Sequence, residues 1–439
     1  MYDIIFIGGG LNYAGAVVAA KKGFKTALIE QDLNNLGGTC LHRGCIPSKH
    51  LLHLAQTNLY LHNEAFRIKK DKIKLKEVKK EIENLLSKST KAITMQCQNA
   101  GVELFEAKGY LIDENSVQID DQILKAKYIV IGTGSSPHIP DAIEYNKQSI
   151  ITSDEVFHLS DFPKKIAIYG SGAIGLEFAS FFAANDVETT LIYRHETISN
   201  KIHPQIVKAM EKQLEKIGVT LMKNTTVLEA SDFEKSAKIT TDEGIFQFDK
   251  LLVATGRDPN TQVIKTDKIS VNRGIDTNEY FETALSGHFA IGDCNGKLQL
   301  AHAARAEVLN VIDNILGKKE ILNLNNIPKF INTLPLQYAA VGLTKTILDK
   351  NGMEYKESLF PLSSLALSYS YDAVNGMVIF YADRENFIIG AEILAPNAQE
   401  LIAIAATAIT AQLDKESFLK TVFAHPTFSE AIERAVRRL

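Results

Sequence analysis

Cysteine is scarce, with four in 439 residues. A secreted chain of this size held together by disulfides needs many more, so that class is set aside. A basic segment ahead of the first apolar run is missing as well: the chain starts MYDIIFIGGG, a strand-like run and not a secretory signal. Long apolar runs are absent, the longest (LIAIAATAIT) having about half the length that a bilayer crossing needs. Neither sign of charge dominates, the net charge being -4 with 23% charged residues, which removes any global bias toward nucleic acid or membrane surfaces. No low-complexity linker is found either. The expectation is a cytoplasmic protein of about two to four domains, without nucleic-acid, membrane or metal partners.

Two of the four cysteines fall close together, in GTCLHRGCIPSK (Gly38 to Lys49), with four residues between Cys40 and Cys45. In a regular helix, residues five apart have Cα atoms about 8.6 Å from one another. A disulfide needs roughly 4.4 to 6.8 Å, so pairing these sulfurs requires a distorted turn. Gly37, Gly38 and Gly44 offer the backbone freedom, and Pro47 suits the first turn of a following helix. The segment is either a redox hinge or a glycine loop with idle thiols. Cys97 and Cys294 have no partner spacing and read as buried spectators.

Two strand-glycine-helix units surround this segment in the linear order. Tyr2 to Ile7 is a continuous apolar strand, followed by Gly8-Gly9-Gly10, a helical stretch through Ala20, and a strand Thr26-Ala27-Leu28-Ile29 ending at Glu30. Glycines in such a turn admit a pyrophosphate to the helix N-terminus, and an acid about 20 residues on accepts hydrogen bonds from a ribose. Here the third glycine of GxGxxG is Tyr13; either Gly15 shifts the close helix-strand approach, or the first turn of the helix stands off. The second unit is regular: strand Ile166 to Tyr169, then GSGAIG (Gly170 to Gly175), helix LEFASFFAA and strand Glu188 to Tyr193. Between the units lie an amphipathic helix over roughly Leu75 to Gln98, read as a solvated Lys/Glu face, and a β-rich segment ending IVIGTGSSP. From about Ile327 alternating strands and two amphipathic helices suggest a further domain. The fold expected is α/β: two Rossmann-like domains plus a C-terminal α+β dimerisation domain.

The ordered series GGTCLHRGCIPSK, GSGAIGLE, ATGRDPN, AIGDC, LAHAARAE and AHPTFSEAI resembles the pyridine nucleotide-disulfide oxidoreductases that carry their redox cysteines in the FAD domain. Within that family it is most similar to the dihydrolipoamide dehydrogenases, with glutathione and mercuric reductases as relatives. The resemblance runs nearly end to end. It implies a homodimer divided into residues 1–142 (FAD), 143–261 (NAD(P)), 262–326 (FAD and central, second part) and 327–439 (interface). It also implies that Cys45 is the thiolate facing the flavin and Cys40 the thiol that exchanges with substrate. Glu30 would hold the FAD ribose, Thr133 and Gly134 would lie by the flavin nucleotide, Asp293 would hold the ribityl chain, and Gly8, Gly10, Thr39, Ala301 and His302 would complete the site. Lys49 would lie near the flavin with Glu177 as its partner. Gly170, Gly172, Ile174, Gly175, Glu177 and Gly256 would meet the nicotinamide dinucleotide. His425, held by Glu430, would be the acid-base donated to the other subunit.

The chemistry of thiol-disulfide exchange asks for the same groups, since a base must take a proton from the incoming thiol and return it to the leaving one. Histidine titrates in that range, and a carboxylate fixes its tautomer. His42 and Arg43, between the cysteines, either lower a thiol pKa, favour an anionic substrate, or point to solvent. NAD-binding units end their second strand in an acid, whereas here that place is Tyr193, followed by Arg194 and His195 as in glutathione reductase, which points to NADPH over NADH. A second expected arginine is Asn200, next to Lys201, and Gly175 is NAD-like. Two further departures are TLPLQYAAVGLT, with an apparent one-residue insertion, and an end at Leu439, a few residues past Glu430. No C-terminal cysteine pair is present, which disfavours mercuric reductase and the large thioredoxin reductases. The leading expectation is dihydrolipoamide dehydrogenase-like electron transfer between a nicotinamide, FAD, the cysteine pair and a lipoyl-type or small disulfide. The alternatives are an NADPH-driven reductase of a low-molecular-weight disulfide and a flavin-binding redox sensor or assembly partner.

Overall fold

A computed structural model describes residues 1–61 and 72–439. They form two compact units, Met1–His50 with Lys76–His138 and Arg257–Leu324, and Leu51–Leu75 with Ile139–Gly256 and Asn325–Leu439.

In the first unit the opening apolar run is β1 (Tyr2–Ile7), followed by α1 (Asn12–Lys21) and β2 (Thr26–Glu30). β1 is central because Ile4, Ile5 and Phe6 are fully buried, as strands covered on both faces require. It pairs in parallel with β2 on one side, Ile5 opposite Ala27, and with Gln122–Ile131 on the other, Ile5 opposite Ile129. Glu103–Glu106 extends the sheet beyond β2, and His288–Ala290 joins Gln122–Ile131 in parallel. The cysteine segment forms α2 (Gly38–Arg43) and α3 (Cys45–Leu61), and Pro47 falls in the first turn of α3 as expected. The Lys/Glu stretch is the helix Leu75–Ala100.

In the second unit β3 (Lys165–Tyr169), α4 (Ala173–Ala184) and β4 (Glu188–Ile192) repeat the strand-turn-helix-strand pattern, and α5 (Pro204–Lys216) follows. Their five-stranded parallel sheet runs in the order Val219–Met222, β4, β3, Lys250–Val253, Ile150–Ile151. The C-terminal part is a five-stranded antiparallel sheet, Lys329–Ile331, Gln337–Gly342, Ile388–Ala395, Met377–Ala382, Lys356–Pro361, backed by helices that include α6 (Ser429–Arg438). Before Gln337–Gly342 two carbonyls are answered by one amide: Gln213 Nε2 donates to Leu334 O at 2.8 Å and to Leu336 O at 3.1 Å. Glu392, fully buried in this sheet, accepts from Tyr338, Tyr381 and the His203 backbone N–H. Among the described residues no helix is long and apolar enough to cross a membrane.

Candidate active site

The glycine turn after β1 and the cysteine helix meet directly. Gly37 N donates to Gly9 O at 3.0 Å, and a Cβ on Gly38 would lie 2.8 Å from Gly10 Cα, so only glycine allows the two backbones to touch. Gly8, at φ +95°, is equally constrained, since a Cβ there would stand 2.5 Å from Gly132 O. Glu30 Oε2 accepts from Gly9 N at 2.5 Å, and burial pushes this carboxyl up.

Of the two explanations left open by Tyr13, the close approach does fall at Gly15: a Cβ there would lie 3.2 Å from Phe6 Cε1 of β1, and still closer, 2.3 Å, to Val308 Cγ2 of the helix Ala301–Ile315. The first turn of α1 is anchored by Asn12, fully buried, whose Nδ2 donates to Ile7 O at 3.1 Å. Tyr13 packs half-buried against the core.

Gly44 breaks the helix between the cysteines. A Cβ on it would sit 2.9 Å from Thr39 O, and Ser48 N donates to Gly44 O at 3.0 Å to start α3. The distorted turn that pairing requires is therefore present. No disulfide bond joins Cys40 and Cys45, and Cys45 is exposed while Cys40 is half-buried. The Cys40 thiol is pushed far above its ordinary range, first by its hydrogen bond to Cys45 and next by burial. His42 does not point to solvent. Its Nε2 lies 3.0 Å from Leu36 O and 3.4 Å from Thr90 Oγ1, whereas Arg43 is exposed. Thr39 and Lys49 flank the pair on α2 and α3, both half-buried.

Residues far apart in sequence complete this side. Thr133 Oγ1 donates to Asn260 O at 2.5 Å, while Asn260 N donates to Gly134 O at 2.9 Å. Asp293 Oδ2 accepts from Ser135 Oγ at 2.5 Å, and Arg257 Nε donates to the same hydroxyl at 2.8 Å. Behind Asp293, Glu307 is fully buried and accepts from Gly292 N at 2.6 Å and Asn295 Nδ2 at 2.9 Å. Sequence reasoning missed Ser135, Asn260 and Glu307. Glu307 alone left a signal, a carboxylate at helical spacing among inward Ala303, Ala304 and Val308. Ala301 and His302 open that helix. Cys97 and Cys294 are buried as expected, and burial pushes each thiol up to about 11.

In the second unit Gly170, at φ +116°, has its Cβ position 2.3 Å from Ala254 O, and that of Gly175 is 1.9 Å from Gly170 O, so the first turn of α4 rests on the glycine turn. Gly172 caps α4 without a side-chain hydrogen bond, its Cβ position has nothing within 4 Å, and Ile174 follows in the first helical turn. Gly256, at φ +126°, ends the neighbouring loop. Glu177 is buried and accepts from Asn332 N at 2.9 Å. Tyr193 is turned inward, 2% exposed, its hydroxyl donating to Glu211 Oε1 at 3.4 Å, while Arg194 and His195 are exposed. A cavity of about 620 Å³ lies behind that loop, lined by Glu196, Ile202, Val207, Glu211, Lys223 and Lys345 among others, and none of the sequence-predicted site residues line it.

The His-Glu pair stands at the start of α6. His425 Nδ1 is 3.0 Å from Glu430 Oε2, and Thr427 N donates to Glu430 Oε1 at 3.0 Å. The His425 side chain is 79% exposed, and its hydrogen bond is the first cause holding the Glu430 carboxyl below the usual range.

Residues 2–307 match the family model described as pyridine nucleotide-disulphide oxidoreductase, and residues 327–436 match the dimerisation domain of the same family. The mitochondrial dihydrolipoyl dehydrogenase of Pisum sativum is 32% identical over 99% of this chain and 90% of its own length. Dihydrolipoyl dehydrogenase from Chlamydia muridarum is 32% identical over 98% of this chain and 95% of its own. Among solved structures, LpdA from Mycobacterium tuberculosis shares the fold with a TM-score of 0.91 at 24% identity, covering 100% of this chain and 99% of that one.

Proposed function

Because the chain belongs to the pyridine nucleotide-disulphide oxidoreductases, as a flavoprotein disulfide oxidoreductase of the dihydrolipoyl dehydrogenase type, we propose that Cys40 and Cys45 are its redox pair and His425 with Glu430 its acid-base. The observation that carries this is the hydrogen-bonded thiol pair across the Gly44 break, on a helix whose first residue touches the glycine turn of β1. Residues 1–142 and 262–326 then hold FAD, 143–261 the nicotinamide dinucleotide, and 327–439 pair with a second copy.

The residues fit both cofactors. Neither α1 nor α4 has a side-chain hydrogen bond at its N-cap, which suits both helix starts to a pyrophosphate. Glu30 ends the first unit's second strand with a carboxylate for a ribose. When bound, FAD would supply the two-electron chemistry that links the cysteine pair to the nicotinamide. Lys49 supplies positive charge beside the cysteines, and Asp293 with Thr133 lines the nucleotide side.

Exchange itself uses only the chain's own groups. In the oxidising direction His425 Nε2 takes the proton of a substrate thiol, whose thiolate attacks Cys40 Sγ and expels Cys45 as a thiolate. The second substrate thiol passes its proton to the Cys40 sulfur as its own sulfur attacks the first substrate sulfur and releases Cys40, leaving substrate disulfide, a Cys40 thiol, a Cys45 thiolate and the first proton on His425. Glu430 fixes the Nδ1 side of His425, so Nε2 is the atom that faces substrate. With His425 so exposed on its own chain, the substrate site is shared with the second copy.

The preferred dinucleotide is NADPH. Tyr193 offers no carboxylate to a ribose, and Arg194 with His195 is free to meet a 2'-phosphate with charge-assisted hydrogen bonds. A reducing compartment such as the cytoplasm suits a chain that keeps Cys97 and Cys294 as buried thiols. Dihydrolipoamide is the first substrate to test. Steady-state turnover with lipoamide, glutathione disulfide and other small disulfides, each with NADH and NADPH, tests the reading. Turnover of one disulfide class with a nicotinamide is expected, and no turnover of any supports the redox-sensor alternative.

A further inference from the structure

The carboxylate missing from the end of β4 stands one layer beneath it, on α5. Glu211 is 9% exposed and its two oxygens are both engaged. Oε1 accepts from Ile198 N at 3.0 Å and from Tyr193 OH at 3.4 Å, and Oε2 accepts from Lys223 Nζ at 2.7 Å. Ile198 is held from its other side too, because Ser171 Oγ, inside the second glycine turn, donates to Ile198 O at 2.8 Å. At the near end of the loop Thr225 N donates to Tyr193 O and Asn224 N to His195 O, each at 3.0 Å. Arg194, His195 and Glu196 are the exposed residues between these anchors.

We propose that Glu211 is a positioning residue for nicotinamide selection: through Ile198 N–H and Tyr193 OH it fixes the loop that presents Arg194 and His195 to the adenosine end of the dinucleotide. The inference rests on the reading of that loop as the 2'-phosphate site. Lys223 neutralises a carboxylate that would otherwise be costly to hold away from water. Tyr193 fills the place of a ribose-binding acid and turns its polar end away from the loop's open side. Three other segments thus hold the loop: the turn at Ser171 and α5 at Ile198, and Asn224 with Thr225 at His195 and Tyr193. An arginine fork selects a phosphate only when its base is fixed, because bidentate pairing depends on geometry as well as charge.

Two charge-neutral double variants of the full-length, FAD-loaded enzyme isolate the contact. Glu211→Gln with Lys223→Met keeps an acceptor for Ile198 N–H, whereas Glu211→Met with Lys223→Met removes it without stranding an ammonium. With FAD content and melting temperature matched, the Met/Met enzyme is expected to show an NADPH KM about tenfold or more above the Gln/Met enzyme, the scale of a buried hydrogen bond to backbone. Its preference for NADPH over NADH falls by a similar factor, while kcat and the disulfide KM stay within about twofold. Equal NADPH KM values in the two doubles, with Arg194→Ala raising that KM, would overturn the role of Glu211 alone. If Arg194→Ala also leaves the NADPH KM unchanged, the loop does not read the phosphate and the inference falls with that reading.

Discussion

The two glycine turns answer one problem in two ways. After β3 the helix rests on the turn itself, and Gly175 is needed because a Cβ there would lie 1.9 Å from Gly170 O. After β1 the corresponding residue is Tyr13, the buried Asn12 ties the helix start to Ile7 O, and the close approach moves to Gly15 against Val308. The strand ends differ too. Glu30 keeps the carboxylate, bonded to Gly9 N, whereas Tyr193 has given it up and is bonded to Glu211. The strand-turn-helix-strand pattern is thus shared, and the two strand ends differ in whether they carry a carboxylate.

The largest effect separates the chemistry served by the two turns. His425→Ala should lower disulfide turnover by about two to four orders of magnitude, the scale of a lost acid-base. Flavin reduction by the nicotinamide, followed in a stopped-flow spectrometer, should be nearly unchanged. Normal disulfide turnover would make His425 structural only. The turns themselves are compared by Gly175→Ala and Gly15→Ala. The first drives a methyl into a backbone carbonyl and should cost more than about 3 kcal/mol; the second meets a valine methyl that can shift and should cost about 1 to 3 kcal/mol. Denaturant unfolding reads both, and the reverse order would break the comparison.

Arg194→Ala should remove a preference for NADPH worth about one to two decades in kcat/KM, the range of charge-assisted hydrogen bonds. Added salt should weaken the same preference in the wild type. Equal or better use of NADH by the wild type would return the second turn to an ordinary NAD site. The smallest effect is a titration. Glu430 is held below the usual carboxyl range by His425, so the pair's stabilisation is present above the unfolded value of about 4.3 and is lost as pH falls through the lower folded value. His425→Ala removes the first cause, and the Glu430 carboxyl followed by NMR should then titrate at higher pH.

Much of this was legible in order and spacing. β1 spans Tyr2–Ile7 as read from its apolar run, and the Lys/Glu helix runs from Leu75 to Ala100, two residues past its expected end at Gln98. The break at Gly44 followed from the reach of a disulfide. What stayed hidden were polar contacts across sequence distance. Glu211 meets Ile198, Glu307 meets Gly292, and His42 meets Thr90 of the long helix, and no periodicity marks a carboxylate or imidazole whose partner belongs to another element. The substitution of Asn12 for a glycine contact was invisible for the same reason, since its partner, a carbonyl of β1, becomes available only once the strand and helix have packed.

The central claim is that Cys45 carries the charge of the reduced pair beside the flavin. Anaerobic titration of the FAD-loaded enzyme with NADPH, read at long visible wavelengths, tests it most directly. The wild type should develop a charge-transfer absorbance at partial reduction, and Cys45→Ser should lose it while keeping its FAD. Persistence of that absorbance in Cys45→Ser would contradict the assignment.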